Sequence, residues 1–167
     1  MGNYNLAVLR NDKDITATRV FSRNKTGFTV NAEKQISKSA GVFAIASYND
    51  GKNETWCFTE IDRSLGYGYT VHGDTWKQSN DVPGVAVVQN GLSKDHRNFL
   101  AAGGNGFMID DGKLNYSMET IIEWYYKISM FHNKFSLSPG YQFVINPACN
   151  KDRGPVHVIG LRFHTEW

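Results

Sequence analysis

The chain has 167 residues, with 18 Lys+Arg against 16 Asp+Glu, so its formal net charge is +2. That is the length of one domain, without the basic excess of a nucleic-acid binder. No apolar run reaches the ~20 residues of a transmembrane helix, which excludes a helical membrane protein but leaves a membrane β-barrel open, since barrel strands alternate.

Met1–Arg10 has no basic segment leading into an apolar run, so no secretory signal is expected in it. Asp14–Phe21 reads as the first strand candidate. Gly27–Ile36 alternates with period two, placing Phe28, Val30 and Ala32 opposite Thr29, Asn31, Glu33 and Gln35. Ser39–Tyr48 follows as a strand. Ser64–His72 sets Leu65, Tyr67, Tyr69 and Val71 on one face, and Pro83–Asn90 is the next candidate. Met118–Met130 also fits a helical stripe, but its β-branched and aromatic content favours a strand. Its faces are then Ile122, Trp124, Tyr126, Ile128 and Met130 against Glu119, Ile121, Glu123, Tyr125 and Lys127. Phe135–Asn146 alternates, and so does the last stretch, with Ile159, Leu161, Phe163 and Trp167 on one side.

That makes about eight strands. Polar turns separate them at Ser22–Lys25, Ser37–Lys38, Asp74–Asp81 and Phe131–Lys134. Two segments, Asn49–Ile61 and the Gly-rich Gly91–Ser117, are expected as long loops. The expected fold class is all-β and antiparallel, with residues 1–167 forming one segment.

Motifs for catalysis are absent. Glu60 and Asp62 lie two apart at a strand end, as solvated acidic pairs commonly do, so no glycosidase pair is assigned. The five histidines have neither HExxH nor facial-triad spacing. Gly103–Gly106 lacks the following Lys-Ser/Thr of a phosphate loop, and Asp110-Asp111-Gly112 lacks the alternating ligands of a calcium loop. No enzyme activity, metal or cofactor is expected. Cys57 and Cys149 have no zinc spacing and read as incidental thiols or as one long-range disulfide.

Alternation alone leaves two architectures. A soluble β-sandwich, such as a carbohydrate-binding module, would cover the Tyr, Phe and Trp face with a second sheet. An outer-membrane barrel would turn the same face to lipid. An unfolded remnant of a barrel is a third reading.

Several ordered fragments resemble the carbohydrate-selective porins of the OprB family. They are Ser47-Tyr-Asn-Asp-Gly-Lys-Asn-Glu-Thr-Trp56, Phe58-Thr-Glu-Ile-Asp-Arg-Ser64, Asn90-Gly-Leu-Ser93, Asp95-His-Arg97 and Leu100-Ala-Ala-Gly-Gly104. Asp111-Gly-Lys-Leu-Asn-Tyr116, Glu123-Trp-Tyr-Tyr126, Tyr141-Gln-Phe143 and Asn146-Pro147 continue the order. Asp152-Arg-Gly-Pro-Val156 and Arg162-Phe-His-Thr-Glu-Trp167 close it. The resemblance implies a barrel of about sixteen strands in the outer membrane of a Gram-negative bacterium, passing mono- or oligosaccharides by passive diffusion. This chain corresponds to its C-terminal half, so the implied partners are outer-membrane lipid, the missing N-terminal half of the barrel and, in a homotrimer, further copies.

The C-terminus of a bacterial barrel lies in the periplasm, so the resemblance implies that Phe131–Lys134 is a periplasmic turn, that Asn146–Pro155 is an extracellular loop, and that Asn49–Ile61 and Gly91–Ser117 are extracellular or pore-folded loops. A sugar channel needs polar groups that exchange for water, and aromatics for the C–H face of the sugar. The expected lumen residues are Glu123, Lys127, Gln142, Asn146, Arg162, His164 and Glu166. The expected loop residues are Glu54, Glu60, Asp62 and Arg63, with Trp56 as a stacking platform.

Overall fold

The computed structural model describes residues 1–55, 60–109, 112–131 and 134–166. Among these residues seven strands form one sheet: β1 (Gly27–Gln35), β2 (Ala40–Asn49), β3 (Arg63–Val71), β4 (Val82–Gly91), β5 (Glu119–Met130), β6 (Phe135–Ile145) and β7 (Val156–Thr165). Each pairs antiparallel with the next in chain order. The sheet is not closed, and β1 and β7 are its two edges.

The register carries the alternation across all seven strands. One cross-strand row runs Ala44, Tyr67, Val87, Ile122, Phe143 and His157. The neighbouring row on that face runs Tyr69, Val85, Trp124, Tyr141 and Ile159. Between them lie rows of the opposite face, such as Ala86, Glu123, Gln142 and Val158. The sheet thus has an apolar, aromatic face and a more polar one, as the period-two reading expects.

Among the described residues no second sheet covers the apolar face. Trp124 is 51% exposed, Leu161 56% and Phe163 63%. Ala40 is the one buried hydrophobic among the described strand residues. This overturns the β-sandwich reading, which requires those side chains to pack against a partner sheet.

The buried core lies at one end of the sheet, in the segments that connect strands. Tyr4, Ala7, Leu92, Phe99, Leu100, Ile109, Leu114 and Cys149 form it. Two short helices contribute, α1 (Asn3–Arg10) and α2 (Lys94–Ala101). Ser93 caps α2, its Oγ accepting the His96 N–H at 3.1 Å. His96, Phe99 and Leu100 then fall on one face at helical spacing and are buried. α1 buries Tyr4 and Ala7 and ends where Asn11 turns left-handed at φ 57°.

The expected strand Asp14–Phe21 is instead a 3₁₀ turn at Ile15–Thr18, which lowers the strand count from eight to seven. Asp14 Oδ1 accepts from both the N–H and the hydroxyl of Thr16, each at 2.8 Å. That local carboxylate bonding competes with a ladder and wins.

Long and short connections segregate. Residues 36–39, 72–81 and 131–134 join strands at one end. Residues 50–62, 92–118 and 146–155 join them at the other, where residues 1–26 also pack.

Candidate functional site: a loop cap at one end of a polar sheet face

Asp62 is the junction of the cap. It immediately precedes β3 and is 2% exposed. Its Oδ2 accepts the Ser93 N–H and faces His96 Nδ1, each at 2.9 Å. Lys25 Nζ stands 3.6 Å from Oδ1. Burial pushes this carboxyl up, but the His96 and Ser93 bonds and the Lys25 charge outweigh it and leave it below the ordinary carboxylate value. Asp62 therefore joins three segments: the N-terminal arm, the β2–β3 connection and α2.

His96 is sandwiched against α1, its ring stacked on Tyr4 at 4.4 Å and 13°. Burial first, and the Asp62 charge second, push the Tyr4 phenol far above its ordinary value, so it stays neutral. Gly51 allows the close approach. Its φ is +54°, and a Cβ there would lie 2.3 Å from Ser93 Cβ. The freed space lets Ser93 Oγ donate to the Gly51 carbonyl at 2.7 Å.

Glu60 holds a second loop. Its carboxylate accepts three successive backbone N–H groups, from Phe107 at 2.8 Å, Met108 at 2.7 Å and Ile109 at 2.8 Å. A Cβ on Gly106 would come 2.6 Å from Glu60 Oε1. Glu54 takes a two-pronged contact from Arg19, Nε at 2.6 Å and Nη2 at 2.9 Å. Tyr4, Arg19, Glu54, Glu60 and Phe107 border a cleft of about 540 Å³ within the cap.

A polar chain ties the cap to the sheet. Ser64 Oγ donates to Asn90 Oδ1 at 2.8 Å, and Asn90 Nδ2 donates to Glu119 Oε1 at 2.9 Å. Glu119 Oε2 accepts the Ala148 N–H at 2.8 Å. Asn146, left-handed at φ 51°, donates to Ser117 Oγ and the Met118 carbonyl. It braces the loop rather than reaching along the sheet. Burial pushes the neighbouring Cys149 thiol up to about 11, so it is protonated and inert at neutral pH. Cys57 lies outside the described residues.

The strand residues divide by face. Glu123, Lys127, Gln142, Arg162 and His164 all lie on the polar face, by register. Gln142 Nε2 donates to Glu123 Oε2 at 3.1 Å, and His164 Nε2 lies 3.0 Å from Glu166 Oε1. Arg63 lies on the other face. It pairs opposite Tyr48, with its guanidinium 5.5 Å from that ring. Trp56 falls outside the described residues.

The structure thus brings Glu54, Glu60 and Asp62 together in the cap and keeps Glu123, Lys127, Gln142, Arg162 and His164 on the wall. Ser93, His96, Asn90 and Glu119 were not singled out from the sequence as site residues. The one available signal was Ser93 ahead of Asp95 and the spaced His96, Phe99 and Leu100, a helix-start pattern.

Comparisons agree with this architecture. The family model described as "Carbohydrate-selective porin, OprB family" matches residues 3–167. No curated protein sequence matches. A solved structure of Pseudomonas putida OprB, determined at high pH, superposes with a TM-score of 0.69 at 19% identity. The overlap covers 84% of this chain and 35% of that one, so this chain spans about a third of that protein's length.

Proposed function

The chain belongs to the OprB family of carbohydrate-selective porins, and from that premise we propose that it forms the loop-capped wall of an outer-membrane channel through which neutral saccharides diffuse passively. The observation that supports this most is the sheet itself. Its apolar face is wide, aromatic and uncovered, as lipid contact requires, and its opposite face is the more polar of the two, carrying Glu123, Lys127, Gln142 and Arg162.

Sugar passage follows from weak, exchangeable contacts. Glu123, Lys127, Gln142, Arg162 and His164 offer donors and acceptors to hydroxyl groups along the wall. The cleft in the cap adds the Arg19–Glu54 pair with Tyr4 and Phe107. Each contact replaces one with water, so net affinity stays near millimolar, about −4 kcal/mol, and release is fast. Glu60 and Asp62 act differently from the other candidates. Their oxygens are committed to holding loops, which fixes the shape of the cap.

Closure needs further strands. Unpaired N–H and C=O groups on β1 and β7 would each cost several kcal/mol in lipid. In an antiparallel sheet of seven strands, β1 and β7 run in the same direction. Antiparallel closure throughout therefore requires an odd number of additional strands, consistent with an N-terminal barrel half as partner.

The test is liposome swelling in isosmotic glucose and maltose. The chain is refolded alone and together with the preceding strands of an OprB relative. Swelling only in the combined preparation, faster for glucose, is the expected result. Inserted, heat-modifiable protein that passes neither sugar would sink the channel reading.

A further inference from the structure

Arg63 stands where the apolar face of the sheet meets the cap. It is the first residue of β3, directly after the buried Asp62, and it is exposed. One row of that face runs Phe28, Tyr48 and Arg63 across β1, β2 and β3. The Phe28 and Tyr48 rings lie 5.6 Å apart, and the Arg63 guanidinium stands 5.5 Å from the centre of the Tyr48 ring. β2 and β3 each have a paired neighbour on both sides, so Tyr48 and Arg63 are clear of the open edges of the sheet.

The charge of this face is one-sided. Among the described strand residues it carries no carboxylate, and its fixed cations are Arg63 beside the cap and Lys34 towards the far end of β1. Glu33, Glu119 and Glu123 all lie on the opposite face. Arg63 has neither an ion pair nor a hydrogen-bond acceptor among the described residues. Stacking on Tyr48 uses one flat side of the guanidinium and leaves the N–H donors around its edge uncommitted. An arginine facing lipid is costly at mid-bilayer and nearly free at the interface, where it meets headgroups. Contacts within the chain thus leave the Arg63 donors without a use, and they stand at the boundary between the wet cap and the apolar wall.

We propose that Arg63, braced on Tyr48, docks the phosphate headgroup of a lipid in the leaflet on the cap side. The proposal rests on the reading of this face as lipid-contacting. A planar guanidinium gives two parallel N–H donors to two phosphate oxygens, and Tyr48 fixes the plane in which they point. The acyl chains then run down the face over the next row, Val30, Ala46 and Leu65. A second copy of the chain is the weaker occupant. Docked by this same face it would offer Arg63 no carboxylate, because the described strands present none there. A phosphate supplies the missing anion.

The test titrates the refolded chain in dodecyl maltoside micelles with dilauroyl phosphatidate or with dilauroylglycerol, which shares its chains and lacks its phosphate. Native mass spectrometry counts the bound lipid. The parent is expected to prefer phosphatidate about tenfold, the effect of one bidentate charged contact. Arg63→Gln should erase that preference. Lys94→Gln, which removes an exposed cation from the cap, should keep it. A preference that survives Arg63→Gln, or a parent that binds both lipids equally, overturns the site and leaves the lipid-facing reading standing. Arg63→Gln that alters the oligomer mass at unchanged phosphatidate binding also overturns it, since the residue would then serve a subunit contact. A parent chain that stays folded and soluble in detergent-free buffer, and does not enter micelles, sinks the lipid-facing reading itself.

Discussion

The cap and the wall solve opposite problems with the same alphabet. In the cap, Asp62, Glu60, Ser93, His96 and Asn3 are polar, buried and bonded to partners, while Phe99 and Leu100 pack inward. In the wall, Leu161, Phe163 and Trp124 are apolar and exposed. Water explains the first pattern, because a buried carboxylate survives only if its oxygens are satisfied. On the proposed reading lipid explains the second, because hydrocarbon makes an uncovered aromatic face favourable. The cap is therefore held by specific hydrogen bonds and the wall by its ladder and its solvent, and the two should fail under different insults.

The largest effect is expected at the cap junction. Asp62→Ala removes the acceptor for Ser93 and His96 and strands Lys25, at a cost of about 3–5 kcal/mol for a broken buried pair. Limited proteolysis should cut within residues 92–118 while the strand circular dichroism is retained. Loss of both together would show that cap and wall are one cooperative unit. Next comes the wall. Leu161→Arg on the uncovered face should cost about 2–4 kcal/mol in a bilayer if it lies near mid-depth. It should be nearly silent in water-exposed assays of the cap, and equal behaviour in lipid and in detergent-free buffer would contradict lipid contact.

Glu60→Ala is expected to be milder, about 2 kcal/mol, because freed N–H groups at Phe107, Met108 and Ile109 regain water in part. Amide exchange at those three positions should rise while the Ser93 amide stays protected. The smallest effect is that of acid. The Asp62 carboxyl lies below its ordinary value of 3.8 in the folded chain. Its contribution is thus fully present above that value and is lost as pH falls through the lower, folded one. Cap proteolysis should increase only below about pH 3.8 in the parent chain and lose that pH step in Asp62→Asn.

The strands were legible because a period of two survives any register. Phe28, Val30 and Ala32, or Ile122, Trp124 and Tyr126, declare a shared face before any partner is known. Met118–Met130 resolved as a strand for the reason its composition indicated. Asp14–Phe21 did not, because the Asp14 carboxylate bonds Thr16 locally, and alternation does not register such a bond. The helix Lys94–Ala101 was hidden in a Gly-rich stretch, too short for its period to stand out. Glu60 and Asp62 were noticed for their charge, yet their use depends on N–H groups supplied some 30–50 residues away in sequence. Arg63, adjacent to Asp62, points to the opposite face, because one residue of strand reverses the side.

The sheet, its two faces and the likeness to the porin family were thus readable from the order of residues, since each depends on local periodicity or on ordered short motifs. Tertiary structure alone decided which carboxylates became cap fastenings and which stayed on the wall. It also decided that, among the described residues, no second sheet covers the aromatics. Those outcomes are set by contacts between segments distant in the chain, and a contact of that kind leaves no trace in the order of residues on either side of it.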